Sequence, residues 1–248
     1  DFKCRYIRFY GIINQENSIM TKAVVLLSGG MDSATALAVA KAEGYHCYAL
    51  SVDYGQRHKY ELTAAKMVAE DLGVIEHKII ALDLSNFGGS ALTDQSLSIP
   101  VEETIGIPIT YVPARNTIFF SLALAWSETI EAKSIYSGIN AIDYSGYPDC
   151  RPEYIAALQD LFDLATKKTV EGHKIHLETP LIGLTKTEII SLGRGKGVDF
   201  SKTVSCYQTD EGGRSCGICD SCRLRIKAFK DLQIEDTIEY IKRNSIIK

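Results

Sequence analysis

The run Ala23-Val24-Val25-Leu26-Leu27 breaks into Ser28-Gly29-Gly30-Met31-Asp32-Ser33 and then into Ala34-Thr35-Ala36-Leu37-Ala38-Val39-Ala40-Lys41. A short aliphatic, β-branched run suits a buried parallel strand, and the Ala/Leu-rich segment suits a helix. Between them, Ser28, Gly29 and Gly30 leave backbone N–H groups to point at an anion, backed by the positive end of the helix dipole. A plain tight connection is the simpler reading of Ser-Gly-Gly. The loop is not a Walker A loop, since no Gly-Lys-Ser/Thr follows, and not a Rossmann fingerprint, since its glycines are adjacent. Asp32 weighs in favour of a ligand. An acid beside a phosphate cradle repels the phosphate unless a divalent cation lies between them, so the pattern fits Mg²⁺ with a nucleotide.

A second chemistry lies near the C-terminus. Of seven cysteines, Cys206, Cys216, Cys219 and Cys222 crowd together while Cys4, Cys47 and Cys150 are scattered. Four thiolates with no open coordination position make a structural Zn²⁺ site, pinning a tail too small for its own core. An iron–sulfur cluster also takes four cysteines, but the proline that usually follows its last cysteine is missing. A zinc ribbon for nucleic acid is a third reading, with Arg223, Arg225 and Lys227 as basic flanks.

Four further stretches carry charge at or beside the edge where strands end. Asp53-Tyr54-Gly55-Gln56-Arg57-His58-Lys59-Tyr60-Glu61 puts bases beside the glycine loop, where Arg57 can offset phosphate charge or simply belong to a solvated helix start. Tyr111-Val112-Pro113-Ala114-Arg115-Asn116 opens an apolar helix; Pro113 and Asn116 suit a helix entry, and Arg115 suits a phosphate or carboxylate. In Ile142-Asp143-Tyr144-Ser145-Gly146-Tyr147-Pro148-Asp149-Cys150-Arg151 the carboxylates of Asp143 and Asp149 suit a guanine-like N–H edge and the tyrosines suit stacking on a flat ring. Thr185 and Glu188 form a capping-box pattern, and Lys186 between them is a candidate phosphate contact.

The elements that must hold these residues alternate. Strands are expected at 23–28, 46–52, 75–82, 134–139 and 174–179, and helices at 33–43, 60–72, 116–132, 152–171 and 185–194. Repeated βα units predict a doubly wound, mainly parallel five-stranded α/β sheet with helices on both faces and ligands at the carboxyl ends of the strands. The stretch 83–112 is too long for an ordinary connection and reads as a functional or interface insertion. The domains expected are a leader or appended extension over 1–19, with Met20 as the natural start, an α/β domain over 20–200 and a zinc-binding helical tail over 201–248. The chain has 248 residues, 46% hydrophobic and 23% charged, with a formal net charge of −4. That balance argues against a nucleic-acid groove as the main surface, and no apolar run approaches the roughly 20 residues of a membrane span. A cytoplasmic protein is the expectation.

In combination these motifs are specific. Ser28-Gly29-Gly30-x-Asp32-Ser33 resembles the signature loop of the PP-loop ATP pyrophosphatases. Together with Asp53-x-Gly55-Gln56-Arg57-His58, Val112-Pro113-x-Arg115-Asn116, Asp143-x-Ser145-Gly146-Tyr147-Pro148-Asp149-Cys150-Arg151-Pro152 and the four-cysteine cluster, it is similar to the 7-cyano-7-deazaguanine synthase family from about Met20 to the C-terminal helix. Ala114 stands where that family pattern leads one to expect glycine, and the Cys206 to Cys216 interval is about one residue longer than usual.

The resemblance implies an ATP-dependent ligase of queuosine biosynthesis. Its substrate 7-carboxy-7-deazaguanine is adenylated, ammonia displaces AMP to give an amide, and a second ATP-driven activation removes the amide oxygen as the nitrile forms. It further implies that Leu27-Ser28-Gly29-Gly30-Met31-Asp32-Ser33-Ala34-Thr35-Ala36-Leu37 and Arg57 bind ATP. Asp32 organises Mg²⁺ and Arg115 and Lys186 offset charge in catalysis, while Arg115, Asp143, Tyr147 and Asp149 hold the substrate. Structural Zn²⁺ sits on the four cysteines of a homodimer that binds neither nucleic acid stably nor membranes.

Overall fold

A computed structural model describes residues 21–100, 106–142 and 147–241. The expected extension over 1–19, Asp143 and the last residues of the expected tail lie outside the described residues. The sheet has five parallel strands, β1 Lys22–Leu26, β2 His46–Asp53, β3 Glu76–Ala81, β4 Ser134–Ser137 and β5 His176–Glu178, in the spatial order β3-β2-β1-β4-β5. The helices are α1 Met31–Ala42, α2 Tyr60–Asp71, α3 Arg115–Ile130, α4 Pro152–Ala165, α5 Lys167–Val170, α6 Lys186–Gly195 and α7 Asp220–Asp231. Every strand and helix expected from the sequence is present. The exception in detail is 152–171, which is broken at Thr166. Its backbone is extended there, and its hydroxyl caps a new short helix reciprocally with Thr169.

Both faces of the sheet are covered because successive side chains of a strand point to opposite sides. Ala23, Val25 and Leu27 pack with α1, α2 and Ala228 and Phe229 of α7, while Val24, Leu50 and Ile135 pack with Phe120, Ala123 and Leu124 of α3 and Leu158 and Phe162 of α4. The C-terminal segment therefore contributes side chains to the main core. The chain runs from β1 outward to β3 on one side and through β4 to β5 on the other, so the order reverses between β1 and β4. Ligands of such sheets bind in the crevice at that reversal, beyond the strands' carboxyl ends.

The insertion after β3 has a small core of its own. Leu84, Ala91, Leu92, Ile99 and Val112 bury themselves with Val52 and Tyr54 at the end of β2. It is thus packed down beside the crevice.

Candidate active site

The loop between β1 and α1 is held by close backbone contact on two sides. Gly29 has φ +83°, and a Cβ placed on it would lie 2.3 Å from Glu61 O and 2.7 Å from Ala65 N of α2. On the other side, a Cβ on Gly138, just past β4, would lie 2.6 Å from both Asp32 C and Ser33 N. Only glycine permits either approach. Within the loop, Ser33 Oγ donates to Gly30 O (3.0 Å) and accepts from Ser28 N (3.2 Å). Gly30 is the extended N-cap of α1 and no side chain caps the helix, the arrangement that favours an anion there.

At the mouth of this loop, Lys186 Nζ lies 2.8 Å from both carboxylate oxygens of Asp32. The capping box of Thr185 and Glu188 fixes the start of α6 and so fixes Lys186, which is buried. A cation in a first helical turn opposes the helix dipole, and the Asp32 carboxylate offsets it. Two candidates from distant parts of the sequence are thus one ion pair. The contact range expected from Leu27 to Leu37 narrows: Leu27, Ser28, Gly30, Met31, Asp32 and Ser33 line a cavity of about 260 Å³, whereas Ala34, Thr35, Ala36 and Leu37 are turned into the core. Helical periodicity is the reason, since a helix entering the core can offer only its first turn to a ligand.

The far end of the same cavity is formed by Arg115, Tyr54, Phe119 and Tyr147. Arg115 opens α3, with its guanidinium carbon 5.6 Å from the Tyr54 ring centre and 5.9 Å from that of Phe119. Burial alone would lower its pKa, but Tyr54, Tyr147, Asp149 and Glu61 facing it outweigh burial and raise it, so it is a fixed cation. The turn before it is strained: Ala114, where glycine was expected, has φ +55°. Tyr147 is buried with its hydroxyl 2.8 Å from Thr110 Oγ1 and its ring centre 6.0 Å from that of Tyr111. Asp149 departs from expectation. It does not line the cavity; its carboxylate accepts from Asn116 N (3.3 Å) and its carbonyl from Asn116 Nδ2 (3.1 Å), so it anchors the start of α3 behind Arg115. Burial raises its pKa, against the lowering effect of Arg115 and the Asn116 N–H.

Arg57 lines the cavity but is already engaged. Its Nη2 donates to Asp94 O (2.7 Å) and Leu97 O (2.6 Å) and its backbone N–H to Leu92 O (3.0 Å), holding the insertion against the site. Lys59 pairs with Asp53 at the surface. The sequence reading passed over Glu61 and Gln56. Both line the cavity, and burial pushes the Glu61 carboxyl up to about 7, with Arg115 and Gln56 pulling it down and Asp53 pushing it up. Their signal was position: an acid in the first turn of the helix that follows a strand's carboxyl end.

The four cysteines converge as a metal site requires. One sulfur from each of Cys206, Cys216, Cys219 and Cys222 lies within 4.8 Å of all the others, and Cys216 Sγ to Cys222 Sγ is 3.9 Å. Tetrahedral zinc with bonds of about 2.3 Å separates its sulfurs by about 3.8 Å. Backbone N–H groups of Gln208 and Cys216 donate to Cys206 Sγ at 3.2 and 3.1 Å, the pattern that supports thiolates. The cluster packs on Tyr60 and Ala64 of α2, Val204 N donates to Gly29 O (2.9 Å), and Val204, Cys206 and Tyr207 line the cavity. It is a wall of the site as well as an anchor for the tail. Of the basic flanks weighed for a nucleic-acid ribbon, Arg225 is buried in a two-pronged pair with Asp236 at 2.8 Å and Arg223 bonds Asp220 and Ile218 O, while Lys227 is exposed.

Residues 22–233 match the family model described as queuosine biosynthesis protein QueC. A 7-cyano-7-deazaguanine synthase of Saccharophagus degradans is 59% identical over 88% of this chain and 97% of its own length. One of Pseudomonas putida is 58% identical over 88% of this chain and 98% of its own. Among solved structures, an NMN synthetase from Francisella tularensis is a distant likeness, 18% identical over 92% of this chain and 91% of that chain with a TM-score of 0.45. No helix among the described residues is long and apolar enough to cross a membrane. On the family model and these identities, the chain belongs to the queuosine biosynthesis protein QueC family.

Proposed function

We propose that this protein is an ATP-dependent ligase that converts 7-carboxy-7-deazaguanine and ammonia to 7-cyano-7-deazaguanine. The observation that carries this reading is that the phosphate-type loop and the Arg115–Tyr147 end face one cavity at the reversal of the sheet. A carboxylate is inert to ammonia until its oxygen becomes a good leaving group, and activation through the α-phosphate of ATP provides one. The loop's backbone and α1 would hold the departing pyrophosphate. Mg²⁺, when bound, neutralises phosphate charge; Asp32 with phosphate oxygens fits its usual oxygen ligation, and Lys186 then offsets charge on the phosphates. Arg115 suits the substrate carboxylate, Tyr147 and Phe119 suit the flat ring, and Asp143 remains a candidate for its N–H edge. The four sulfurs fit structural Zn²⁺. We extend the proposal to the cytoplasm as compartment, a homodimer as the assembly and no stable nucleic-acid partner.

Pyrophosphate release on adding the deazaguanine acid with Mg²⁺ and ATP tests this reading. Release that requires tRNA instead of the acid would point to an RNA-modifying ligase and overturn it. Asp32→Ala should abolish release with the fold intact.

A further inference from the structure

Both nitrogen chemistries in this reading need a proton acceptor that neither the phosphate loop nor its ion pair supplies. When ammonia attacks the activated carboxyl carbon, a C–N bond forms and the nitrogen carries a positive charge. It must lose a proton as the C–O bond to AMP breaks with its electron pair. In the second half both N–H protons of the amide must leave, one as its oxygen is activated and the other as its C–O bond breaks and the nitrile forms, AMP again leaving with the electron pair. The acceptor must therefore be a base beside the reacting carbon.

We propose that Glu61 is this base, taking the nitrogen-bound proton in both halves. Glu61 lines the cavity together with Asp32 of the phosphate loop and Arg115 of the substrate end. The backbone that carries this side chain is held in place. Gly29 is packed directly against Glu61 O, so the backbone of this residue and the phosphate loop cannot shift independently. The Gln56 amide facing it is oriented as well. Gln56 Oε1 accepts from Tyr54 N (2.7 Å), which turns the buried Nε2 away from that bond, and the Gln56 side chain interacts with the Glu61 carboxyl.

The charged and titratable groups around Glu61 come from each neighbouring element: Arg115 at the start of α3, Asp53 at the end of β2 and the Tyr54 phenol after it. Burial outweighs Arg115, and the carboxyl titrates at about 7. A base of that pKa is charged at mildly alkaline pH yet strong enough to accept a proton, the match that favours general base work.

The inference rests on the ligase reading, and the experiment separates the two. In single turnovers with ATP, Mg²⁺, the deazaguanine acid and ammonium chloride, free ammonia held constant across pH, pyrophosphate release and nitrile formation are followed separately. Glu61→Gln should release the first pyrophosphate within about 3-fold of the unaltered protein but form amide and nitrile about 10²-fold more slowly. The alkaline-rising limb near pH 7 should vanish in Glu61→Gln and persist, at lower amplitude, in Glu61→Asp. Undiminished nitrile formation, a loss confined to KM, or equal loss of the first pyrophosphate would each overturn the role of Glu61. Absence of acid-dependent pyrophosphate from the unaltered protein would instead overturn the ligase reading.

Discussion

The phosphate loop and the cysteine cluster touch through the hydrogen bond from Val204 N to Gly29 O, and each is held in place by a different kind of force. The loop is clamped by backbone against backbone, at Gly29 on α2 and at Gly138 past β4, with almost no side chain involved. The cluster is held chiefly through its side chains, four sulfurs brought together from an irregular segment and the first turn of α7 with a few backbone N–H groups donating to them. The difference teaches that the loop's rigidity belongs to the folded sheet, whereas the wall beside it is only as rigid as whatever neutralises four thiols. Hydrogen bonds from the Cys206 and Cys222 thiols drive the Cys219 thiol well below the usual range while those two are themselves pushed up, so one thiolate shares its neighbours' protons, which a divalent cation would displace.

The largest effect should come from breaking the side-chain half. Cys219→Ser, or metal removal with a chelator, should cost on the order of 5 kcal/mol of stability, since structural metal sites contribute folding energy outright. Calorimetry with metal analysis measures it. Because Val204 is bonded to Gly29, ATP affinity should fall too; unchanged ATP affinity in a destabilised protein would show that the two regions are not coupled. A soluble and stable but inactive variant would argue for a catalytic metal, and visible absorption of the purified protein would argue for an iron–sulfur cluster.

Breaking the backbone half should cost less stability and more activity. Gly29→Ala adds a methyl against Glu61 O in a left-handed conformation, a cost of roughly 3 to 5 kcal/mol. Bound metal should stay unchanged while pyrophosphate release disappears. Denaturant unfolding and metal content on the same sample distinguish this from loss of the cluster.

Glu61 offers a change of opposite sign. Its folded pKa of about 7 lies above the unfolded value near 4.5, so the native state binds the extra proton between those limits. Stability contributed by the protonated form is complete below about pH 4.5, declines as pH rises and is gone above about 7. Glu61→Gln should therefore be more stable than the unaltered protein at pH 8 by roughly 3 kcal/mol, with the gap closing toward pH 4.5. Parallel stability curves at both pH values would contradict the burial of this carboxylate. The smallest effect concerns the turn before Arg115. Ala114→Gly relieves a left-handed alanine but adds unfolded-state freedom, a net gain of about 0.5 to 1 kcal/mol visible as a small rise in Tm.

Much of this was legible in the sequence because it depends on local pattern. Alternating βα units fix the sheet, Ser-Gly-Gly with Asp32 marks the loop, and four clustered cysteines mark the metal site. What the local pattern could not show is direction. A contiguous stretch from Leu27 to Leu37 looked like one binding segment, but only the first turn of α1 faces the cavity. Arg57 lines the cavity as expected, but that its guanidinium also holds the carbonyls of Asp94 and Leu97 carries no sequence signal, since a long insertion supplies them. Arg225 looked like a basic flank because its burial against Asp236 is a tertiary fact. Glu61 was overlooked among neighbouring bases because nothing local shows that Gly29 packs against it.

The most direct test of the central claim is the ratio of pyrophosphate released to nitrile formed, by the purified protein supplied with the deazaguanine acid, ammonia, Mg²⁺ and ATP. One cavity that activates first the acid and then the amide should release two pyrophosphates per nitrile, with the amide appearing in between. A product that stops at the amide with one pyrophosphate, or release independent of the acid, would contradict it.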